Sequence, residues 1–152
     1  MTSFVVDASV AIKWVVEEPG ADHAVLLLDH RLAAPDLLGP ECANVLWKKV
    51  MRHELSPDEA ETMAAALAQA DIALHPTRGH LRAALATACA FQHPAYDFIY
   101  LCLAEQLAQP LVTADERLVG AVRAAPSRRF AELVVPLTEL RQTLADERTR
   151  EA

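Results

Sequence analysis

Short apolar runs alternate with helix-like segments along this chain, and that alternation limits the possible folds more than any other feature. The predicted strands cover residues 3–6, 33–38, 71–75, 110–113 and 133–135. The predicted helical segments between them cover residues 10–16, 22–32, 40–52, 57–69, 78–91, 96–107 and 116–124. Strands that alternate with helices form parallel sheets with helices packed on their faces. We therefore predict an α/β fold with a central, mostly parallel sheet flanked by helices on both faces.

The whole chain is predicted to form a single domain. No repeat, low-complexity tract or linker divides residues 1–152. A hydrophobic content of 53% is ample for a sizeable core, which we place in residues 3–136. A charged carboxy-terminal helix is expected over residues 138–150. The clearest local signal is Ser56-Pro57-Asp58-Glu59, because serine, proline and glutamate at these spacings are typical of a capped helix start.

The charge and the cysteine content restrict the partners and the compartment. A formal net charge of −7 favours basic partners over broad binding of polyanions, although bound metal ions and a local basic rim can offset phosphate charge. The 3 cysteines show no C-x-x-C spacing, which argues against a disulfide framework or a zinc finger and favours a reducing compartment. No leader-like segment and no run of about 18 apolar residues is present. We expect a cytoplasmic protein that does not enter a membrane.

Four acidic residues far apart in the sequence occupy equivalent places. Each one stands where a predicted strand stops or a predicted helix starts: Asp7, Glu41, Asp97 and Asp115. The carboxyl ends of parallel strands meet at one crevice, so that these side chains can converge there. Clustered carboxylates repel one another unless a hard cation lies among them. The pattern therefore predicts a Mg²⁺ or Mn²⁺ site formed by this acidic quartet.

Each member of the acidic quartet also has a purely structural explanation. Asp97 and Asp115 precede predicted helices, where an aspartate often serves as the N-cap. Glu41 would be favoured in a first helical turn by the helix dipole alone. Asp7 is harder to explain in this way, because Ser9 is the better cap for the next helix. Four such placements in one α/β chain favour a shared site over four separate caps.

Other phosphate chemistries lack their characteristic spacing in this chain. A phosphatase with an aspartyl nucleophile would need D-x-D after the first strand, where this chain has Asp7-Ala8-Ser9. A phosphoacceptor receiver domain would need an adjacent acidic pair at the same place. The 4 glycines are isolated, so that no glycine-rich phosphate loop exists, and the 6 histidines form no H-E-x-x-H zinc motif.

Four sequence blocks around the acidic quartet carry a close resemblance. They are Val5-Val6-Asp7-Ala8-Ser9, Glu41-Cys42-Ala43-Asn44-Val45-Leu46, Tyr96-Asp97-Phe98-Ile99-Tyr100-Leu101 and Thr113-Ala114-Asp115. In this order they resemble the motifs of PIN-domain nucleases, and most of all the small toxin ribonucleases of the VapC type from type II toxin–antitoxin systems. Leu103-Ala104-Glu105 and Arg117-Leu118 strengthen the match. All four acids are present, so that nothing in the motifs suggests an inactive relative.

The resemblance implies roles for individual residues. The acidic quartet matches the catalytic acids of the family, which hold Mg²⁺ or Mn²⁺. Ser9 and Thr113 match the small hydroxyl residues that flank these acids and orient carboxylates or water. Asn44 matches a polar position one helical turn beyond Glu41, where both side chains share a helix face. Helix capping by Ser9 and an ordinary strand-end hydroxyl at Thr113 are the alternatives.

The resemblance further implies a metal-dependent endoribonuclease. Metal-activated water would attack the RNA phosphodiester in line, while the cation neutralises the phosphate oxygens, without a covalent enzyme intermediate. Lys13, Lys48 and Arg117 are candidate phosphate contacts, although an ordinary solvated surface explains each of them taken alone.

The expected partners also follow from the resemblance. They are an RNA substrate, a small VapB-like antitoxin and a second copy of the chain in a homodimer. An arginine of the antitoxin would suit the acidic crevice, because guanidinium binds carboxylates bidentately. Two alternatives use the same fold: a PIN-domain nuclease for RNA maturation or for DNA, and a PIN domain retained as a non-catalytic binding module. A lost acid would mark the second alternative, and none is lost.

Overall fold

Five parallel strands form the centre of the protein. The structure is a computed structural model that describes residues 2–152. The strands are β1 Ser3–Val6, β2 Arg31–Pro35, β3 Ile72–His75, β4 Leu111–Thr113 and β5 Val134–Pro136. Their order across the sheet is β3-β2-β1-β4-β5, and every neighbouring pair is parallel. The predicted α/β fold is confirmed, with a sheet that is parallel throughout rather than mostly.

Eight α-helices connect and cover the strands in the described part of the chain. They are α1 Ala8–Ala11, α2 Ala21–Ala24, α3 Leu38–Met51, α4 Pro57–Ala68, α5 Leu81–Phe91, α6 Ala95–Leu107, α7 Glu116–Ala124 and α8 Leu140–Glu151. Four short 3-10 helices lie at Ile12–Trp14, Val25–Asp29, Thr77–His80 and Leu137–Glu139. No helix within residues 2–152 combines the length and the apolar character needed to cross a bilayer.

Helices cover both faces of the sheet, as the alternating side chains of β1 show. Phe4 and Val6 pack on one face, against a cluster that includes Leu27 and Leu140. Val5 points to the opposite face and packs in a cluster with residues of α3, α5 and α6. A parallel sheet needs helices on both faces because its strands are apolar on both sides.

Helix α6 is the central helix of the second face. Its residues 98–104 are all buried, and the helix contacts β1, β2 and β4. A helix that is apolar on all sides belongs in the interior of a domain. The burial of α6 fixes the position of its first turn, which carries Asp97.

The start of α4 has the capping box that the sequence predicts. The backbone N–H of Glu59 donates to Ser56 Oγ at 3.1 Å, and the backbone N–H of Ser56 donates to Glu59 Oε2 at 2.7 Å. Pro57 occupies the first turn of the helix. The two reciprocal bonds satisfy donors that a helix start otherwise leaves free.

The first connections differ from the prediction. The helix expected over residues 10–16 is the single turn α1 followed by a 3-10 helix at Ile12–Trp14. The helical segment expected over residues 22–32 already ends at Asp29. A helix of one turn is too short to display the 3.6-residue periodicity by which helices are recognised in a sequence.

The second strand lies earlier in the chain than predicted. It covers Arg31–Pro35 instead of residues 33–38, and Leu38 begins α3. The apolar run around Leu32 contains no glycine that would mark the boundary between helix and strand. Pairing with β1 sets the boundary, because Arg31 aligns with Ser3.

Candidate active site

The chain changes direction across the sheet between β1 and β4. Strands β2 and β3 lie on one side of β1, whereas β4 and β5 lie on the other. In open parallel sheets, the crevice at the carboxyl ends of the two strands flanking such a switch point is the usual ligand site. Asp7 directly follows β1, and Asp115 follows β4 after one further residue.

Asp7 is buried at the switch point and is held by hydroxyl groups. Its side chain is among the few buried polar groups, with 5% of the residue exposed. Ser9 Oγ donates to Asp7 Oδ1 at 2.5 Å, and Thr113 Oγ1 donates to Asp7 Oδ2. The backbone N–H of Val10 donates to Oδ1 at 3.3 Å. Both carboxylate oxygens are therefore fixed in place.

The alternative explanation of Ser9, that it caps the first helix, is wrong. Asp7 is itself the N-cap of α1. The hydroxyl of Ser9 instead connects two strand ends, since it donates to Asp7 and accepts the backbone N–H of Ala114 at 2.9 Å. An N-cap residue bonds an amide two or three positions ahead, and Val10 lies three positions after Asp7.

Burial changes the ionisation of Asp7. Removal from water raises its pKa from 3.8 to about 7, and the negative charge of Asp97 acts in the same direction. The hydrogen bonds from Ser9, Thr113 and Val10 oppose this rise and do not cancel it. A carboxyl group whose charged form is disfavoured in this way becomes more acidic when a cation binds beside it.

Glu41 enters the same region from the first turn of α3. The phenol hydroxyl of Tyr100, on α6, donates to Glu41 Oε1 at 2.6 Å. Partial burial raises the pKa of Glu41, and the charge of Asp97 raises it further. The placement in a first helical turn agrees with the helix-dipole explanation, and the contact with Tyr100 adds a specific partner to it.

Asp97 lies in the first turn of α6 and not at its N-cap. The helix begins at Ala95, with Pro94 at the N-cap position, so that the capping explanation for Asp97 is wrong. Asp97 Oδ2 lies 2.6 Å from His93 Nε2, and 14% of the His93 side chain is exposed. Burial raises the pKa of Asp97, His93 opposes that rise, and Asp115 adds to it.

Asp115 is the N-cap of α7, as the capping explanation expects. Its Oδ1 accepts the backbone N–H of Arg117 at 2.9 Å and that of Leu118 at 3.3 Å. The residue is partly exposed. Capping and a functional role are compatible here, because the second carboxylate oxygen, Oδ2, takes no part in these bonds.

The charge of Asp97 connects it with the other three members of the acidic quartet. The charge of Asp97 contributes to the raised pKa of Asp7 and of Glu41, and Asp115 contributes to that of Asp97. Charges act on one another in this way only when they are close. Within residues 2–152, however, no three His, Cys, Asp or Glu side chains form a ready-made metal cage.

The donor set nevertheless suits a hard divalent cation. Mg²⁺ prefers oxygen ligands, keeps several waters and takes only one or two carboxylates directly, so that a closed cage is not required. Glu41, Asp97 and Asp115 each have one oxygen engaged by a hydrogen bond. Their other oxygens accept no hydrogen bond from residues 2–152. These oxygens remain available to a cation.

The side chains of the remaining predicted residues take no part in the hydrogen bonds described above for the acidic quartet. Asn44 is exposed on α3, one turn beyond Glu41. Lys48 and Arg117 are exposed, as a phosphate contact would require. Lys13 Nζ is already bound by Glu18 Oε1 and by the carbonyl of Pro19, each at 2.9 Å. It would have to leave these partners to contact a phosphate.

Two site residues were missed by reasoning from the sequence. His93 precedes Asp97 by four residues, and this spacing was the only signal of their contact. Tyr100 follows Asp97 by three residues, and its partner Glu41 lies 59 residues away. That pair meets only in the folded chain, where the hydrogen bond joins α6 to α3.

The comparison with known proteins identifies the class. A family model described as PIN domain matches residues 4–123. The matched segment contains all four acids, most of β1, the whole of β2, β3 and β4, and most of α7. The chain therefore belongs to the PIN-domain family.

Individual relatives agree with this assignment. The chain is 33% identical over 136 residues to Ribonuclease VapC3 from Pyrobaculum aerophilum, an alignment that covers 87% of this chain and 98% of the relative. This similarity confirms the VapC type that the motifs predict. The crystal structure of PAE2754 from the same organism matches with a TM-score of 0.68 at 21% identity, over 95% of this chain and 96% of that chain. At that identity the likeness shows the fold alone.

Proposed function

We propose that this protein is a Mg²⁺- or Mn²⁺-dependent endoribonuclease, the toxin of a toxin–antitoxin pair, which hydrolyses RNA phosphodiesters at the acidic quartet. What supports the proposal is the placement of Asp7 and Asp115 after β1 and β4, the two strands at the switch point, together with burial and the charge of Asp97, which raise the pKa of Asp7 and Glu41. Such a site has a negative potential that a divalent cation relieves. The similarity to a protein named Ribonuclease VapC3 supports the same chemistry.

The proposed reaction is direct hydrolysis. A water oxygen attacks phosphorus in line, the bond from phosphorus to the leaving ribose oxygen breaks, and a proton given up by the water ends on that ribose oxygen as a hydroxyl. The acidic quartet would hold the cation, which acidifies water and neutralises the charge that develops on the phosphate oxygens. Ser9 and Thr113 hold the carboxylate of Asp7 in a fixed orientation, so that little reorganisation is needed during the reaction.

The substrate would be gripped outside the acidic quartet. Lys48 and Arg117 are exposed cations, and Arg117 follows Asp115 by two residues. We assign them to backbone phosphates of the RNA, with Lys13 joining after it releases Glu18. Asn44 is proposed to contact substrate or water beside Glu41. Exposed cations contribute a salt-dependent share of the affinity for nucleic acid.

The proposed partners are an RNA, a VapB-like antitoxin and a second copy of the chain, in the cytoplasm. The net charge of −7 agrees with a basic antitoxin segment. An arginine inserted beside the acidic quartet would bind the free carboxylate oxygens bidentately. It would thereby compete with the cation and inhibit the enzyme.

Cleavage of mixed cellular RNA by the antitoxin-free protein tests this function. Fragments should appear with Mg²⁺ or Mn²⁺, and both EDTA and Asp97→Asn should abolish them. Asp97 is chosen because its charge acts on the other acids of the site. Cleavage that persists under both treatments would exclude the metal site. Cleavage of DNA in preference to RNA would instead favour the alternative nuclease, and metal binding without any cleavage would favour the binding module.

A further inference from the structure

Tyr100 is a buried residue with a polar group that reaches the candidate active site. It lies in the middle of α6 within the buried stretch 98–104, and only 1% of the residue is exposed. Its hydroxyl is the only one in that stretch. This hydroxyl donates to Glu41 Oε1 at 2.6 Å and so joins α6 to α3.

The phenol oxygen of Tyr100 needs an explanation beyond packing. Phenylalanine would fill nearly the same volume, so that packing alone does not explain the oxygen. A buried hydroxyl normally needs a hydrogen-bond partner, and here the partner is a carboxylate and not a backbone carbonyl. Hydrogen bonds to an ionised carboxylate are shorter and stronger than neutral ones. The contact therefore restrains Glu41 more firmly than ordinary packing would.

The geometry of Glu41 indicates what this restraint does. A glutamate side chain on a helix has several freely rotating bonds and loses rotamer freedom when it is fixed. Tyr100 engages Oε1, while Oε2 accepts no hydrogen bond from residues 2–152. One oxygen is thus anchored and the other remains free. Groups that orient ligands in this way are a general feature of metal sites.

We propose that Tyr100 is a positioning residue for the candidate metal site, which holds one oxygen of Glu41 so that the other is presented to the cation. The inference rests on the proposed function, because it needs a cation at the acidic quartet. Tyr100 itself touches neither the cation nor the substrate. Its contribution is to reduce the cost of ordering Glu41 when the cation binds.

Direct titration of Mn²⁺ into the antitoxin-free protein tests this inference without any RNA. Tyr100→Phe should weaken Mn²⁺ binding by about tenfold, since removal of such a supporting partner costs roughly 10–100-fold in metal affinity. Thr87→Val is the matched control, because Thr87 is another buried hydroxyl that donates only to the carbonyl of Ala83, at 2.7 Å, on α5. That variant should bind Mn²⁺ like the wild type.

A double-mutant cycle separates positioning from a general loss of stability. In a Glu41→Ala background the hydroxyl has no carboxylate to hold, so that adding Tyr100→Phe should not change Mn²⁺ affinity further. The inference is overturned if Tyr100→Phe binds Mn²⁺ as tightly as the wild type. It is also overturned if the substitution weakens binding equally with and without Glu41. Melting curves in EDTA verify that every variant is folded before it is titrated.

The same titration distinguishes the two proposals. If the wild type and Asp97→Asn bind Mn²⁺ equally poorly, the proposed function fails and the role of Tyr100 fails with it. If the wild type binds and Asp97→Asn does not, the metal site stands. If Tyr100→Phe then binds Mn²⁺ with wild-type affinity, only the positioning role of Tyr100 is excluded.

Discussion

Asp7 and Asp36 follow neighbouring strands at the same edge of the sheet, yet their carboxyl groups differ in ionisation. Asp7 comes after β1 and accepts from the hydroxyl of Thr113 and a backbone amide. Asp36 comes after β2 and accepts from the hydroxyl and the backbone amide of Thr77. Burial raises the pKa of Asp7 to about 7, whereas the hydrogen bonds of the exposed Asp36 lower its pKa.

The opposite pKa shifts of Asp7 and Asp36 come from their positions in the fold and not from the kind of hydrogen-bond partner. Both aspartates have a threonine hydroxyl and an amide as partners, and the further bond from Ser9 to Asp7 lowers the pKa of Asp7, so that hydrogen bonding cannot explain why that pKa is raised. Asp7 lies at the switch point between β1 and β4, where it is buried and faces the charge of Asp97. Asp36 lies one strand away from that crevice, on an open loop. A strand-end aspartate is therefore a candidate site only where the topology buries it among other acids.

The largest expected difference between substitutions of Asp7 and of Asp36 is in the rate of RNA cleavage. Asp7→Asn should reduce the cleavage rate by about a thousandfold or more, because metal-assisted charge stabilisation contributes several kcal/mol and each 1.36 kcal/mol is tenfold in rate. Asp36→Asn, the matched control, should cleave at the wild-type rate. Initial rates on one RNA substrate in saturating Mn²⁺ provide the comparison. Equal losses in both variants would remove the distinction between the two strand ends.

The second expected difference between Asp7 and Asp36 is in how the free energy of unfolding changes with pH. It is measured by denaturant unfolding in EDTA. Asp7 is protonated in the folded protein below about pH 7 but ionises near 3.8 when unfolded, so that its ionisation destabilises the fold as pH rises through this window. Asp7→Asn should therefore be more stable than the wild type at pH 8, by up to about 4 kcal/mol at 1.36 kcal/mol per pKa unit. The extra stability of Asp7→Asn over the wild type should become smaller as the pH falls towards 5.

Asp36→Asn should behave in the opposite sense in the same unfolding series. The folded pKa of Asp36 is lowered, so that its charged form stabilises the fold above the unfolded pKa. That contribution is lost as the pH falls through the folded pKa. The variant should be somewhat less stable than the wild type near pH 7 and should approach it in acid. An Asp7→Asn protein that is less stable than the wild type at pH 8 would contradict the electrostatic contrast.

The smallest expected difference is in Mn²⁺ affinity and compares Thr113, beside Asp7, with Thr77, beside Asp36. Thr113→Val removes one of the hydroxyls that hold Asp7 and should weaken Mn²⁺ binding by about tenfold. Thr77→Val removes the corresponding hydroxyl beside Asp36 and should leave Mn²⁺ affinity unchanged. Calorimetric titration of both variants gives the two affinities. A loss of affinity in Thr77→Val would show that the acidic crevice extends farther along the sheet than Asp7.

The sequence predicted the strands better than the short helices between them. Apolar runs bounded by turn residues indicate all five strands, although the predicted β2 starts two residues and ends three residues too late. The capping box at Ser56 was visible because its signal is local. One-turn elements such as α1 and α2 carry no periodic signal, and their ends depend on how the neighbouring strand pairs.

The sequence likewise points to the acids of the site but not to their contacts with Tyr100 and His93. Asp7 and Asp115 stand at strand ends, which can be recognised locally and then joined through the rule for parallel sheets. The contact between Tyr100 and Glu41 depends on how two helices pack, and no local pattern encodes it. For Ser9 the sequence leaves helix capping open beside a role next to the acids, because its bond to the backbone of Ala114, 105 residues away, exists only in the folded chain.

The bond between Asp7 and Thr113 joins residues that are 106 positions apart. A ribosome adds about 5–20 residues per second, so that Asp7 is made roughly 5–20 seconds before its partner. During that time β1 has no β4 beside it, and Asp7, Thr113 and Asp115 cannot be brought together. The order of strands in the sheet thus delays the formation of the site until β4 has been synthesised. A nascent chain of this kind cannot assemble the acidic crevice until Asp115 has been made.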